Sequence, residues 1–239
     1  MLLPIDYYCF SHSRRADGIR HPAADKTITK GENVKVASDS AIGNKNKLVI
    51  CICGMAGSGK STVAKRIARH YGLRYSSGGD ALKAVAAELG YRTSGEGWWE
   101  TEEGIRFLKE RSRNPEIDRR VDQKQLEWAK EGGIVFDSWA MPWLLRDGFK
   151  VWLEASEEVR AHRIAERDKL TPEEALKFLR EKEARTKRIY KKLYGFSLGE
   201  DFSPFHLIID VNLLSKDEVF EALRLVIDRF VLGREDSSI

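Results

Sequence analysis

The amino-acid sequence predicts an α/β fold, a parallel sheet with helices on both faces and a ligand at the carboxyl ends of its strands. Three observations carry that prediction. Short apolar runs rich in β-branched residues alternate with segments of helical period from Leu48 onward. The first run, Leu48–Cys53, turns directly into Gly54-Met55-Ala56-Gly57-Ser58-Gly59-Lys60-Ser61-Thr62, the spacing G-x-x-x-x-G-K-[ST] in the setting of strand, loop and helix start. A later run, Ile134–Phe136, closes on Asp137. In phosphate-loop folds the strand beside the first one ends in such an acid.

The loop residues define the chemistry. Glycines at 54, 57 and 59 allow backbone conformations closed to other residues, so successive N–H groups of Gly54–Thr62 can turn onto one anion. The helix that follows adds its positive dipole end. Lys60 is placed to reach the outer phosphates, and Ser61 with Asp137 to hold Mg²⁺. A nucleoside triphosphate is the expected ligand, and the fold expected is the three-layer P-loop NTPase class.

Bulk properties narrow the field. Among 239 residues, 41 basic and 37 acidic side chains nearly cancel, to a net charge of +4. That balance disfavours a dedicated nucleic-acid binder. No run approaches a membrane span, and Met1–Phe10 lacks the basic leader of a signal peptide. Of Cys9, Cys51 and Cys53, two lie on the first apolar run, and no second Cys or His cluster completes a metal site. A reducing, cytoplasmic setting and a monomer are the expectations.

Residues 1–46 show no sustained period and read as a loosely ordered extension, with Arg14, Arg15 and Arg20 interrupted by acids as in a solvated tail. The domain is expected over 47–233 and a polar tail over 234–239. Along it, strands are expected at 47–53, 73–76, 134–137, 149–153 and 206–210. Helices are expected at 60–71, 81–89, 101–113, 116–131, 156–167, 171–194 and 215–231. Gly72 sits at a C-cap, and Thr171-Pro-Glu-Glu174 combines a capping box with proline at the first helical position. Ser77-Gly-Gly-Asp80 fits either an anion site at a helix start or a plain N-cap at Asp80. Asp118 and Asp122, one turn apart, fit a ligand site, although their residue pattern alone favours a solvated face. Arg160, Arg163 and Arg167 share a helix face. With the basic helix that follows, they suit either a mobile lid over phosphates or a salt-bridged hairpin using Glu166, Glu173, Glu181 and Glu183.

The residues from about Leu48 to Val231 resemble nucleoside monophosphate kinases, most of all the archaeal type of cytidylate kinase. The strings that carry the resemblance are Gly54–Thr62, Asn114-Pro-Glu-Ile-Asp-Arg-Arg-Val-Asp122, Arg163-Ile-Ala-Glu-Arg167, Glu173-Glu-Ala175 and Leu193-Tyr-Gly195. The resemblance implies transfer of the ATP γ-phosphoryl group to a small nucleotide, CMP or dCMP, with Mg²⁺. Lys60, Arg163 and Arg167 would then be catalytic, with the two arginines in a lid over about 160–195. An acceptor-binding insertion over about 77–131 would use Ser77, Asp80, Lys83, Asp118, Arg119 and Asp122, joined by Arg188.

The chain departs from that family at Lys83, Trp139 and Ile189, where arginines are expected. A lysine copies the bidentate fork of an arginine poorly, and Trp or Ile cannot copy it. Arg146, Arg185 and Arg188 are candidate replacements. A kinase for another small metabolite, or a nucleotide-binding protein without catalysis, are the alternatives.

Overall fold

A computed structural model of the chain describes residues 47–93, 98, 101–111, 113, 114 and 116–233. The expected extension at 1–46, the tail at 234–239 and the side chain of Arg185 lie outside the described residues.

Five strands form one parallel sheet in the order β2-β3-β1-β4-β5. They are β1 Val49–Gly54, β2 Arg74–Ser77, β3 Ile134–Asp137, β4 Phe149–Glu154 and β5 Leu207–Asp210. The helices are α1 Lys60–Tyr71, α2 Gly78–Glu88, α3 Glu102–Arg111, α4 Glu116–Glu131, α5 Met141–Leu144, α6 Glu157–Asp168, α7 Pro172–Tyr194 and α8 Lys216–Val226. The predicted fold class is borne out. β1 is central, and its residues 50–54 are wholly buried, as a strand covered on both faces must be. Ile52 pairs with Asp137, so the acid of β3 lies beside the strand that feeds the glycine loop.

Local signals placed most boundaries. Gly72 caps α1 in the left-handed conformation, Ser156 caps α6, and Thr171 and Glu174 make the reciprocal box that starts α7. Three differences stand out. α2 begins three residues earlier than expected, because Ser77 and not Asp80 is the N-cap. The four-residue α5 was not anticipated. The last helix is not α-helical throughout: α8 ends at Val226 and the chain continues as a π-helical turn over Ile227–Val231.

The main core packs Ile50, Ile52, Val151 and Leu153 of the sheet against Val63 and Ile67 of α1 and Val219 and Leu223 of α8. A second cluster, with Leu82, Val85, Trp98, Phe107, Ile117 and Val121, joins α2, α3 and α4. Trp98 is therefore core. Among the described residues no helix is long and apolar enough to cross a membrane.

Candidate active site

The loop between β1 and α1 is held from both sides. Gly54 (φ +151°) and Gly57 (φ +81°) occupy backbone space that suits glycine, and each is also crowded. A Cβ on Gly54 would stand 2.6 Å from the Leu153 carbonyl oxygen, and one on Gly57 2.6 Å from that of Arg160. The Trp139 indole N–H donates to the Gly54 carbonyl at 2.7 Å. Arg160 donates to the Ala56 carbonyl at 3.0 Å. α1 then starts with no side-chain cap and no acid in its first turn. Its first amides and its dipole are thus left for a ligand.

A cavity of about 450 Å³ opens on this helix start. Its wall includes Gly57–Val63, Arg163, Arg167, Leu214, Ser215 and Val219. Arg163 lies along that wall, donating to the carbonyls of Val211 at 2.8 Å and Ser58 at 3.5 Å. Arg167 is exposed and forks onto Asp168, with both contacts at 2.7 Å. Arg160 behaves differently from the other two. It is buried, donates to Ala155 as well as Ala56, and forms an ion pair with buried Glu183 of α7. The three arginines that share a spacing therefore divide into an internal strut and two cavity residues. The hairpin of α6 and α7 is salt-bridged as one of the two readings anticipated, with Arg180 on Glu157 at 2.7 Å.

Two cations meet on one ring. The Lys60 ammonium lies 5.1 Å from the Trp139 ring centre, and the Lys182 ammonium of α7 lies 5.7 Å from it. Much of Lys182 remains accessible, yet desolvation, then Lys60 and Arg167, push its ammonium below the ordinary lysine range. Sequence reasoning missed Lys182. Its position on α7 carries no motif, and only the fold brings it to the loop.

On the other side, α2 and α4 present the residues expected for an acceptor. Ser77 and Asp80 bond to one another as a capping box, with the Ser77 N–H on Asp80 at 2.8 Å. Lys83 is half-buried on α2. Asp118 is held by Arg111, another residue sequence reasoning passed over, at 2.7 and 3.0 Å. Arg119 is exposed and paired with Glu116, and Arg188 is exposed with its guanidinium on the Ala184 carbonyl. Arg146 is exposed as well. The expected solvated face of α4 is corrected. Asp122 is 9% and Gln125 1% exposed, because the Tyr194 hydroxyl of α7 and Ser138 after β3 cover them.

Burial raises the Asp122 carboxyl from 3.8 to about 6, and neighbouring Asp118 adds to this against the opposing Tyr194 hydrogen bond and Arg111. The folded state therefore binds this proton more tightly than the unfolded chain does. The ionised group opposes folding fully above pH 6, and the penalty vanishes as pH falls below 4. The gap corresponds to about 3 kcal/mol at neutral pH. Asp122→Asn keeps an acceptor for Tyr194 and removes the charge. It is expected to raise stability by about 2–3 kcal/mol at pH 7 and by nothing near pH 4. Thermal unfolding at the two pH values checks this.

The match to a family decides what this geometry belongs to. Residues 49–213 match the model of the "Cytidylate kinase-like family". The chain belongs to that family. Its relatives include the cytidylate kinase of Pyrococcus horikoshii, 38% identical over 77% of this chain and 90% of that protein. The cytidylate kinase of Pyrobaculum islandicum is 36% identical over 76% and 91%. That of Methanocaldococcus jannaschii is 34% identical over 76% and 98%. Among solved structures, an uncharacterized protein from Eubacterium ventriosum superposes with a TM-score of 0.55 at 18% identity, covering 76% of this chain and 98% of that one, a likeness of fold. As a member of the cytidylate kinase-like family the chain is an enzyme, a phosphotransferase, as its loop motif led one to expect.

Proposed function

We propose that this chain moves the γ-phosphoryl group of ATP, with Mg²⁺, onto CMP or dCMP. The observation that carries the reading is the meeting of an uncapped helix start with Lys60, and of Lys60 with Lys182 on Trp139, at a cavity wall that also holds Arg167. Phosphoryl transfer asks a protein for positioning and charge neutralisation more than for covalent chemistry. In this reading the amides of Gly54–Thr62 hold the donor phosphates and Lys60 spans the outer two. Arg167 and Lys182 take the charge on the group in flight. Arg163, fixed between Ser58 and Val211, flanks the donor along its length, and Leu214 and Val219 offer apolar cover for its base.

The donor set fits Mg²⁺. Ser61 supplies a hydroxyl at the cavity wall and Asp137 a carboxylate at the end of the neighbouring strand. Among the described residues no group of three or more His, Cys, Asp or Glu could hold a metal by protein atoms alone. Such a sparse set suits an ion that takes most of its ligands from phosphate and water. When bound, it neutralises phosphate charge.

The acceptor would lie between α2 and α4, with Asp118, Asp122 and Lys83 around it, Ser77 and Asp80 fixing the start of α2, and the α6–α7 hairpin closing over the donor as the lid. Arg119 and Arg188 would join only by leaving their exposed positions. ADP formation from Mg²⁺–ATP, measured with CMP, dCMP, UMP, AMP and GMP offered separately, tests the proposal. Turnover with CMP or dCMP is the expected result. No stimulation by any of them, with ATP still bound, would overturn it and favour another small metabolite, the reading that Trp139 in place of an arginine supports.

A further inference from the structure

Gln125 is an internal amide whose orientation is fixed. The Ser138 hydroxyl accepts N–H bonds from Ala140 and Met141, both at 3.3 Å, so its proton is left to donate. It goes to the Gln125 oxygen, at 3.3 Å. The Gln125 amide nitrogen therefore faces away from Ser138, and among the described residues it has no hydrogen-bond partner. Folded proteins leave few buried donors in that state, and a bound ligand is a physical reason to keep one.

One turn back on the same face of α4 stands Asp122, three residues away. Ionised, it is acceptor-only, with room for more than the one hydroxyl it receives from Tyr194. Arg111 favours its ionised form from nearby but gives its hydrogen bonds to Asp118, so it fills none of the acceptor positions of Asp122. A buried acceptor and a buried unpartnered donor thus stand side by side. The face is tied to the phosphate loop, since Ser138 lies between Asp137 of β3 and Trp139, whose ring meets the Lys60 ammonium.

We propose that Asp122 and Gln125 are the residues that read the base of the acceptor nucleotide, selecting cytosine over uracil. The inference rests on the nucleotide-kinase reading above and goes beyond it by assigning specificity. Cytosine presents an amino donor beside a ring-nitrogen acceptor, which match a carboxylate and an amide N–H₂. Uracil presents an oxygen acceptor beside an N–H donor, the reverse pattern. It would set lone pair against carboxylate and N–H against N–H, and such mismatches are where hydrogen-bonding sites discriminate strongly.

The pair is also pH-sensitive. Asp122 is faced by Tyr194 and Tyr190 from α7, Arg111 from α3 and Asp118 on its own helix. As Asp122 takes up a proton near pH 6 it gains a donor for the uracil oxygen.

The test is kcat/KM for CMP and for UMP with the full chain, from about pH 5.5 to about pH 8. The CMP:UMP ratio of the unaltered protein is expected to fall with decreasing pH. Asp122→Asn is expected to lower CMP turnover by about 100-fold, raise UMP turnover, and give a ratio that no longer depends on pH. Gln125→Glu, which turns the donor into an acceptor, is expected to lose CMP by a similar factor without gaining UMP. Normal CMP turnover with a pH-independent ratio, or with ratios in the variants within about threefold of the unaltered protein, would overturn the base-reading role and leave the kinase reading standing. The profile of the unaltered protein decides even where a variant fails to fold. Absence of turnover with every nucleotide would instead overturn the kinase reading, and this inference with it.

Discussion

Lys60→Ala lowers phosphoryl transfer by about 1000-fold and leaves the melting temperature within a few degrees of the parent. The first half follows from position. Lys60 opens α1 at the uncapped helix start, on the wall of the cavity. A fixed charge in a water-poor site is worth about 10²–10³ in rate when it meets charge that grows in the transition state. The second half follows from what Lys60 touches in the resting protein. Its contact there is the Trp139 ring, worth about 0.5–1 kcal/mol, and its removal also relieves repulsion with Lys182. ADP release at saturating substrates, with a melting curve on the same sample, makes the comparison. Retained turnover in the variant would remove the loop from the chemistry altogether.

Arg160→Ala costs about 3–5 kcal/mol of folding free energy. Three partners are lost together: the carbonyls of Ala155 and Ala56, and Glu183. The carboxylate of Glu183 is then left with little solvent to replace the guanidinium, and an uncompensated buried charge is the most damaging remnant of a broken pair. Urea unfolding of Arg160→Met, of Glu183→Leu and of the two combined gives the cycle, with Arg160→Ala measured beside it. The apolar double variant is expected to recover most of the loss, because well-packed apolar side chains do as well as a buried ion pair. Its activity should not recover in step, since the Ala56 carbonyl in the phosphate loop still lacks its donor. If Arg160→Ala alone cost under about 1 kcal/mol, the strut would be a surface pair in effect.

Much of this molecule was written locally in its sequence. Strand, glycine loop and helix start could be read between Leu48 and Thr62 because each depends on neighbours a few residues away. The caps at Gly72, Ser156 and Thr171 were legible for the same reason. At Ser77-Gly-Gly-Asp80 both ends of the turn are cap-forming residues, and sequence alone chose the wrong one. Contacts across the fold were not legible. Asp122 is buried by a tyrosine 72 residues away, Arg160 reaches an alanine carbonyl 104 residues away, and Lys182 joins the phosphate loop only because α7 folds back over Trp139. A helical pattern gives the face a residue occupies but not what arrives to cover it. Hence the spacing of Arg160, Arg163 and Arg167 suggested three equal arginines, where the fold makes one of them internal.

The central strand carries a built-in clock. Cys51 and Cys53 are fully buried on β1, and burial pushes the Cys51 thiol up to about 12 and Cys53 higher still. Alkylating reagents attack the thiolate, so in the folded protein both sulfurs are silent at neutral pH. With Cys9 replaced by serine, every labelling event must wait for the middle of the sheet to open. Labelling then counts rare excursions from the native state, and its dependence on added ATP would measure how far ligand suppresses them.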